Sequence, residues 1–249
     1  MGKERLESSH FKVFRARVAD FPEGEVWHED APDFWIHAAN GVLGVEHCLV
    51  HIPTLDPSRT PLRAIESQTD DILASAQEHA ELRGMRPVQA TFRFARYSTL
   101  KKAQRTEIAR SIANTVHEVV LEMDDSQPFS STVMRRSEDP RLPAALVSAH
   151  ITLLPPESRH FWRCARAGWA VEDCVDLIQH AIDEKAKLYQ SYLAQCQECW
   201  LLMVAELRPS SFIHPDQQTL DHVFQGPFGR AYFMDMAEQV VHRLKIKGG

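Results

Sequence analysis

Glycine is scarce in this chain, ten residues in 249. None falls into a GxGxxG or GxxxxGK[ST] arrangement, so the phosphate-cradling loop of a nucleotide-hydrolysing motor is excluded. No GxSxG elbow occurs, which disfavours the chemistry of an α/β-hydrolase. Apolar runs are short, and none approaches the roughly 18 residues that a membrane span needs. The segment MGKERLESSHFKVF carries no apolar signal core, so secretion is not expected. Cysteine is limited to five residues without framework spacing, which fits reduced thiols in a cytoplasm. The formal net charge of −6 argues against a protein that coats nucleic acid nonspecifically.

What is present suits a folded enzyme or binding protein. With 44% apolar and 25% charged residues the chain can bury a sizeable core. Its charge is polarised along the sequence. Glu23, Glu25, Glu29, Asp30 and Asp33 crowd together, whereas Arg86, Arg93, Arg96, Lys101, Lys102, Arg105 and Arg110 are opposed only by Glu107. That positive run is either the solvated face of a strand and a helix or a phosphate-contacting track.

Periodicity outlines the elements. Residues 3–17 read as a helix with Leu6, Phe11 and Phe14 as apolar positions. Phe34–Ala38 and Leu43–Val50 form a hairpin about Asn40-Gly41, the strongest short hairpin signal. Helices are expected over 65–83, where Ile72, Leu73, Ala76 and Ala80 recur at helical spacing, and over 101–121. VQATFRF at 88–94 alternates as a strand does. Strands are also expected at 146–154, 199–205 and 230–236, and one long helix at 171–195. Residues 124–143 read as a surface loop and 155–170 as irregular. The order predicts an α/β (α+β) fold: a single domain with one central mixed sheet, an opening hairpin and flanking helices.

The hairpin poses a chemical question. Asp33 opens its first strand and Glu46 sits inside its second. A buried, unpaired carboxylate is costly and calls for a proton, a cation or a metal. An Asp at the start of one strand, a turn and a Glu inside the next strand resemble the core of the PD-(D/E)xK nuclease superfamily. Pro32-Asp33 would be its "PD", and Glu46-His47-Cys48 would stand at "(D/E)xK". The segment is also similar to bacterial members that carry PDF followed by G-hydrophobic-E. The resemblance implies a restriction-endonuclease-like core over about 1–120, with 121–249 as elaboration. It also implies Mg²⁺ or Mn²⁺ held by Asp33 and Glu46 with a backbone carbonyl at Cys48, cleavage of DNA, and an acid of the opening helix, Glu7 or less favourably Glu4, completing the shell. The alternative is that Glu46 pairs with a cationic side chain such as an arginine.

Cys48 stands where the family has its lysine, and a thiol cannot supply that charge. A substitute is sought elsewhere. On the helix expected at 171–195, Val171, Val175, Ile178, Ile182, Tyr189 and Leu193 share one face, and Lys185 falls within that stripe while Lys187 lies opposite. Lys185 either snorkels to water or reaches the acidic pair and replaces the missing lysine. Catalytic candidates are therefore Asp33, Glu46 and Lys185; metal candidates are Asp33, Glu46, Cys48 and Glu7. Candidates for nucleic-acid contact are Arg93, Arg96, Lys101, Lys102 and Arg105. The competing expectation is a nuclease fold that has lost catalysis and serves as a binding or regulatory module.

Other constellations carry less. Cys196-Gln-Glu-Cys199 has zinc spacing but lacks a second pair, so reduced thiols are expected. Strand alternation puts His47 and His51 on one face and Cys48 on the other, and His47 reads as a surface or second-sheet histidine. Trp27, Phe34 and Trp35 either stack on bases or cap the hairpin core.

Overall fold

The computed structural model describes residues 3–53, 60–95, 100–124, 129–165 and 170–248. In chain order its elements are α1 (Lys3–Arg17), β1 (Gly24–His28), β2 (Phe34–Ala38), β3 (Gly41–Leu49), α2 (Leu62–Leu82), β4 (Val88–Phe94), α3 (Lys102–Glu122), β5 (Ser131–Arg135), β6 (Leu146–Leu153) and β7 (Phe161–Cys164). There follow α4 (Val175–Ala186), α5 (Tyr189–Leu193), β8 (Glu198–Ala205), α6 (Gln217–Asp221), β9 (Val223–Gln225), β10 (Arg230–Asp235) and β11 (Val240–Lys247). No helix among the described residues is long and apolar enough to cross a membrane.

The α/β class holds, but the chain divides differently from expectation. Met1–Ile52 and Gly168–Gly249 form one compact unit, and Pro53–Ala167 forms another. The core therefore does not close near residue 120. The hairpin's second strand pairs in parallel with β8, across the whole intervening unit. Two sheets replace the single one expected.

The first unit is a seven-stranded mixed sheet ordered β1-β2-β3-β8-β10-β11-β9. β8 lies at its centre, and its run CWLLMVA is buried on both faces, as a continuous apolar strand requires. One face packs Phe11 and Phe14 of α1 on Phe34, Ile36, Val45, Leu202 and Val204. The other packs Ile178 and Ile182 of α4 and Tyr192 of α5 on Cys199, Leu201, Met203 and Phe233. Each such side chain contributes about 1.5–3 kcal/mol on leaving water. The long helix expected at 171–195 is thus two helices. No proline or glycine marks the break; Leu188 N–H instead bonds Lys185 O, three residues back, which closes the turn and ends α4.

At the hairpin, Ala38 pairs with Gly41, so Ala39 and Asn40 form the tip and Gly41 takes φ +123°. A Cβ at Gly41 would also lie 2.6 Å from Gln197 Oε1, the atom that caps Val42 N–H. β1, β9 and β11 were absent from the periodicity. β1 alternates half-buried with exposed positions, and β9 and β11 close the far edge of the sheet, where polar residues are tolerated.

In the second unit, β5-β6-β4-β7 form a sheet whose one face carries Val88, Ala90, Phe92, Ala149 and Ile151 against Ile72, Leu73, Ile112 and Val116 of α2 and α3. Two of its strands lie in stretches expected to be loop or irregular. β5 has one buried residue, Met134, and β7 one, Trp162, too few for an apolar signal.

Candidate functional site

The site grows from the β2–β3 register. Phe34, the first residue of β2, pairs with Val45, which brings Asp33, just before the strand, beside Glu46 and His47. Gly44 helps set this position, because a Cβ there would lie 2.6 Å from Pro32 Cγ and 2.8 Å from Cys196 Sγ. Asp33 Oδ2 accepts a hydrogen bond from His47 N–H at 2.8 Å. Both acids are buried. Burial, then the neighbouring Glu46 carboxylate, push the Asp33 pKa up to about 7, with the His47 N–H pulling it back and Glu7 adding to the rise.

Glu46 projects from β3 towards α4. Lys185 Nζ donates to its Oε1 at 2.5 Å, with the lysine side chain 26% exposed and the glutamate 5%. Burial opposes the ammonium, but the Glu46 hydrogen bond and charge outweigh it and hold the Lys185 pKa above the ordinary lysine value. Lys187 turns the other way and pairs with Glu184. The other oxygen, Glu46 Oε2, is buried and reaches no hydrogen-bond partner among the described residues. The Tyr192 hydroxyl is buried beside the same carboxylate, and burial, then the Glu46 charge, raise its pKa.

Cys48 shares the Lys185 neighbourhood. Burial raises its thiol to about 12 despite Lys185, so it stays protonated and offers no charge to the site. All five cysteines are free. Cys196 and Cys199 are buried at the α5–β8 junction, and among the described residues they gather no third zinc ligand.

The opposite face holds what the sequence reading missed. His47 is buried rather than superficial, because α1 covers that side of β3. Its ring stacks on His10 with centroids 5.3 Å apart, and His10 Nδ1 lies 3.1 Å from His47 Nε2. Burial lowers the His10 pKa, against the pull of Glu7. Glu7, buried on α1, lies 3.2 Å from His28 Nε2 and, through Oε1, 3.9 Å from His47 Nδ1. Glu206, just past β8, places Oε1 3.9 Å from His10 Nε2. One donor atom each from Glu7, Asp33 and His47 lie within 4.8 Å of one another, and this is the metal-competent group among the described residues. The signal was present: Glu7, His10, Phe11 and Phe14 follow the i, i+3, i+4, i+7 spacing of one helix face.

Three metal candidates thus lie in one region, with Glu7 and Asp33 in the donor group and Glu46 beside Asp33, while Glu4 is exposed, 3.9 Å from His28. The described residues of the basic track sit on β4 and at the start of α3. Arg93 is exposed on the face of β4 away from the helices; Lys101 and Lys102 begin α3; Arg105 lies 3.7 Å from Asp71. Arg96 lies outside the described residues. Of the aromatic candidates, Phe34 is core, stacked on Phe11 at 4.1 Å, while Trp27 is 45% exposed. Comparisons with family models, with curated proteins and with solved structures found no match to this chain.

Proposed function

We propose that this protein is a divalent-metal-dependent phosphodiesterase acting on DNA, a nuclease of the PD-(D/E)xK kind with its lysine relocated to α4. The observation that carries the reading is the Lys185–Glu46 contact beside Asp33. Three residues singled out for one chemistry come from three separate segments and converge. The donor chemistry suits a cation: buried Asp33 lies beside Glu46 and in a donor group with Glu7 and His47, Lys185 pairs with Glu46 Oε1, and Glu46 Oε2 has no hydrogen-bond partner among the described residues. A bound divalent ion would supply Lewis acidity and a water of lowered pKa.

The protein's own contribution is positional. Asp33 is fixed by His47 N–H, and Glu46 by Lys185. Lys185 supplies the positive charge that Cys48 cannot, on a helix anchored through Ile178 and Ile182. Arg93, Lys101, Lys102 and Arg105 of the second unit offer phosphate contacts, and Arg96 belongs to the same proposed set. The free cysteines fit a reducing, cytoplasmic setting.

The test is plasmid nicking with Mg²⁺ or Mn²⁺. Cleavage should vanish in chelator, and fall at least about 100-fold in Asp33→Asn and Lys185→Met, the scale of losing one preorganised electrostatic group. Activity that survives both substitutions overturns the assignment. One observation favours a second reading, the inactive binding module: Lys185 pairs with Glu46 and offsets its charge. Salt-dependent DNA binding with no nicking under any metal would select it.

A further inference from the structure

The face of β3 opposite Glu46 carries a chain of hydrogen-bonding and charged groups in which Glu7 joins two histidines and a glutamate that the nuclease reading does not use. Glu206 Oε1 faces His10 Nε2 at 3.9 Å, His10 Nδ1 meets His47 Nε2 at 3.1 Å, and His47 Nδ1 faces Glu7 Oε1 at 3.9 Å. Carboxylates flank the imidazole pair at both ends. With a cation on His47 Nδ1, His47 Nε2–H would donate to His10 Nδ1, and His10 Nε2–H would face Glu206. That is the arrangement of a metal-binding imidazole, whose second nitrogen is held by an outer hydrogen-bond partner and, through it, a carboxylate.

We propose that Glu7, Asp33 and His47 form a binding site for a first-row transition-metal dication, with His10 and Glu206 as positioning residues behind His47. The donor set is one imidazole nitrogen and two carboxylates, with the three donor atoms within 4.8 Å. Mg²⁺ favours all-oxygen shells, whereas Mn²⁺, Co²⁺ and Zn²⁺ accept imidazole readily. The site therefore discriminates by ligand chemistry. The backbone strengthens the geometry, because Asp33 Oδ2 is fixed on the N–H of His47 itself and the two ligands move together. α1 contributes both Glu7 and His10 from one face, clamped to the sheet by Phe11 and Phe14. Binding stands independently of hydrolysis; only the use of the ion in cleavage rests on the proposed function.

The experiment titrates the full chain with Co²⁺, following visible d–d absorption, and with Mg²⁺ by calorimetry. One Co²⁺ should bind with an absorption spectrum showing nitrogen ligation, and at least tenfold more tightly than Mg²⁺. Glu7→Gln and His47→Gln should each weaken Co²⁺ at least tenfold, and His10→Gln by about 10–100-fold as an outer-shell change. Circular dichroism identifies which variants remain folded, and Glu7→Gln serves if His47→Gln does not. Unchanged Co²⁺ affinity in folded Glu7→Gln, or equal affinity for Mg²⁺ and Co²⁺, overturns the site. DNA cleavage with Mg²⁺ by a protein whose Co²⁺ binding ignores both residues would overturn this inference and leave the phosphodiester reading standing. A Co²⁺ site that needs Glu7 and His47 in a protein that cleaves no DNA would do the reverse.

Discussion

Lys185 Nζ donates to Glu46 Oε1 at 2.5 Å, joining α4 to β3 across 139 positions of sequence. The contact resolves how a strand can hold a carboxylate that is only 5% exposed. With a cation in place, removing the Glu46 charge relieves no unpaired buried group.

Lys185→Met should lower stability in chelator at neutral pH by about 3 kcal/mol, because Glu46 is left buried and unpaired beside Asp33. Glu46→Gln should cost less, since the partly exposed ammonium can turn to water along its flexible stem. Urea denaturation of both variants measures the difference. Equal stability of Lys185→Met and the parent would show that the pair contributes nothing.

Asp33→Asn should act in the opposite direction. The amide oxygen can still accept from His47 N–H, while the charge crowded by Glu46 and Glu7 disappears. Thermal melts in chelator should rise by about 2–4 °C, corresponding to about 1 kcal/mol in a chain of this size. Added Mn²⁺ should stabilise the parent and leave this variant unmoved. A lower melting point in chelator would mean that the carboxylate is structurally required.

Gly44→Ala tests the placement of Asp33 from the other side. The new Cβ meets Pro32 Cγ and Cys196 Sγ well inside van der Waals contact. Both neighbours are packed, so a loss of about 1–3 kcal/mol is expected, as for other overpacked sites. Metal affinity should fall along with it, because Pro32 carries Asp33. Wild-type stability with intact binding would contradict this packing argument.

The second unit has its own pH sensitivity at His160. Its Nδ1 accepts from Val88 N–H at 3.2 Å and its Nε2 faces Met85 O at 3.2 Å, an arrangement that suits the neutral ring. Burial lowers its pKa, with the Met85 carbonyl and Glu81 opposing. In the window between the lowered value and the unfolded value near 6.5, the unfolded chain binds more protons. Stability is therefore full above about pH 6.5 and is lost as pH falls through the folded pKa. An NMR titration of the His160 ring should give a midpoint below that of a free histidine; a midpoint at or above it would refute the assignment.

Much of this molecule was legible locally. Asn40-Gly41 announced the hairpin, VQATFRF matched β4 residue for residue, and the phase of Lys185 within an apolar stripe marked a lysine that must either snorkel or reach a buried acid. These signals depend on periodicities of two or 3.6 residues, which the sequence carries whatever surrounds it. What the tertiary structure alone decided is which surfaces meet. Alternation separated His47 from Cys48, but only the docking of α1 buried His47 against His10. The parallel pairing of β3 with β8 makes residues 53–167 an insertion in the sequence of the first unit, and no local pattern encodes such a long-range partner. Edge strands were missed for the same reason: with one side open to water they need few apolar residues, and their hydrogen bonds depend on neighbours far away in sequence.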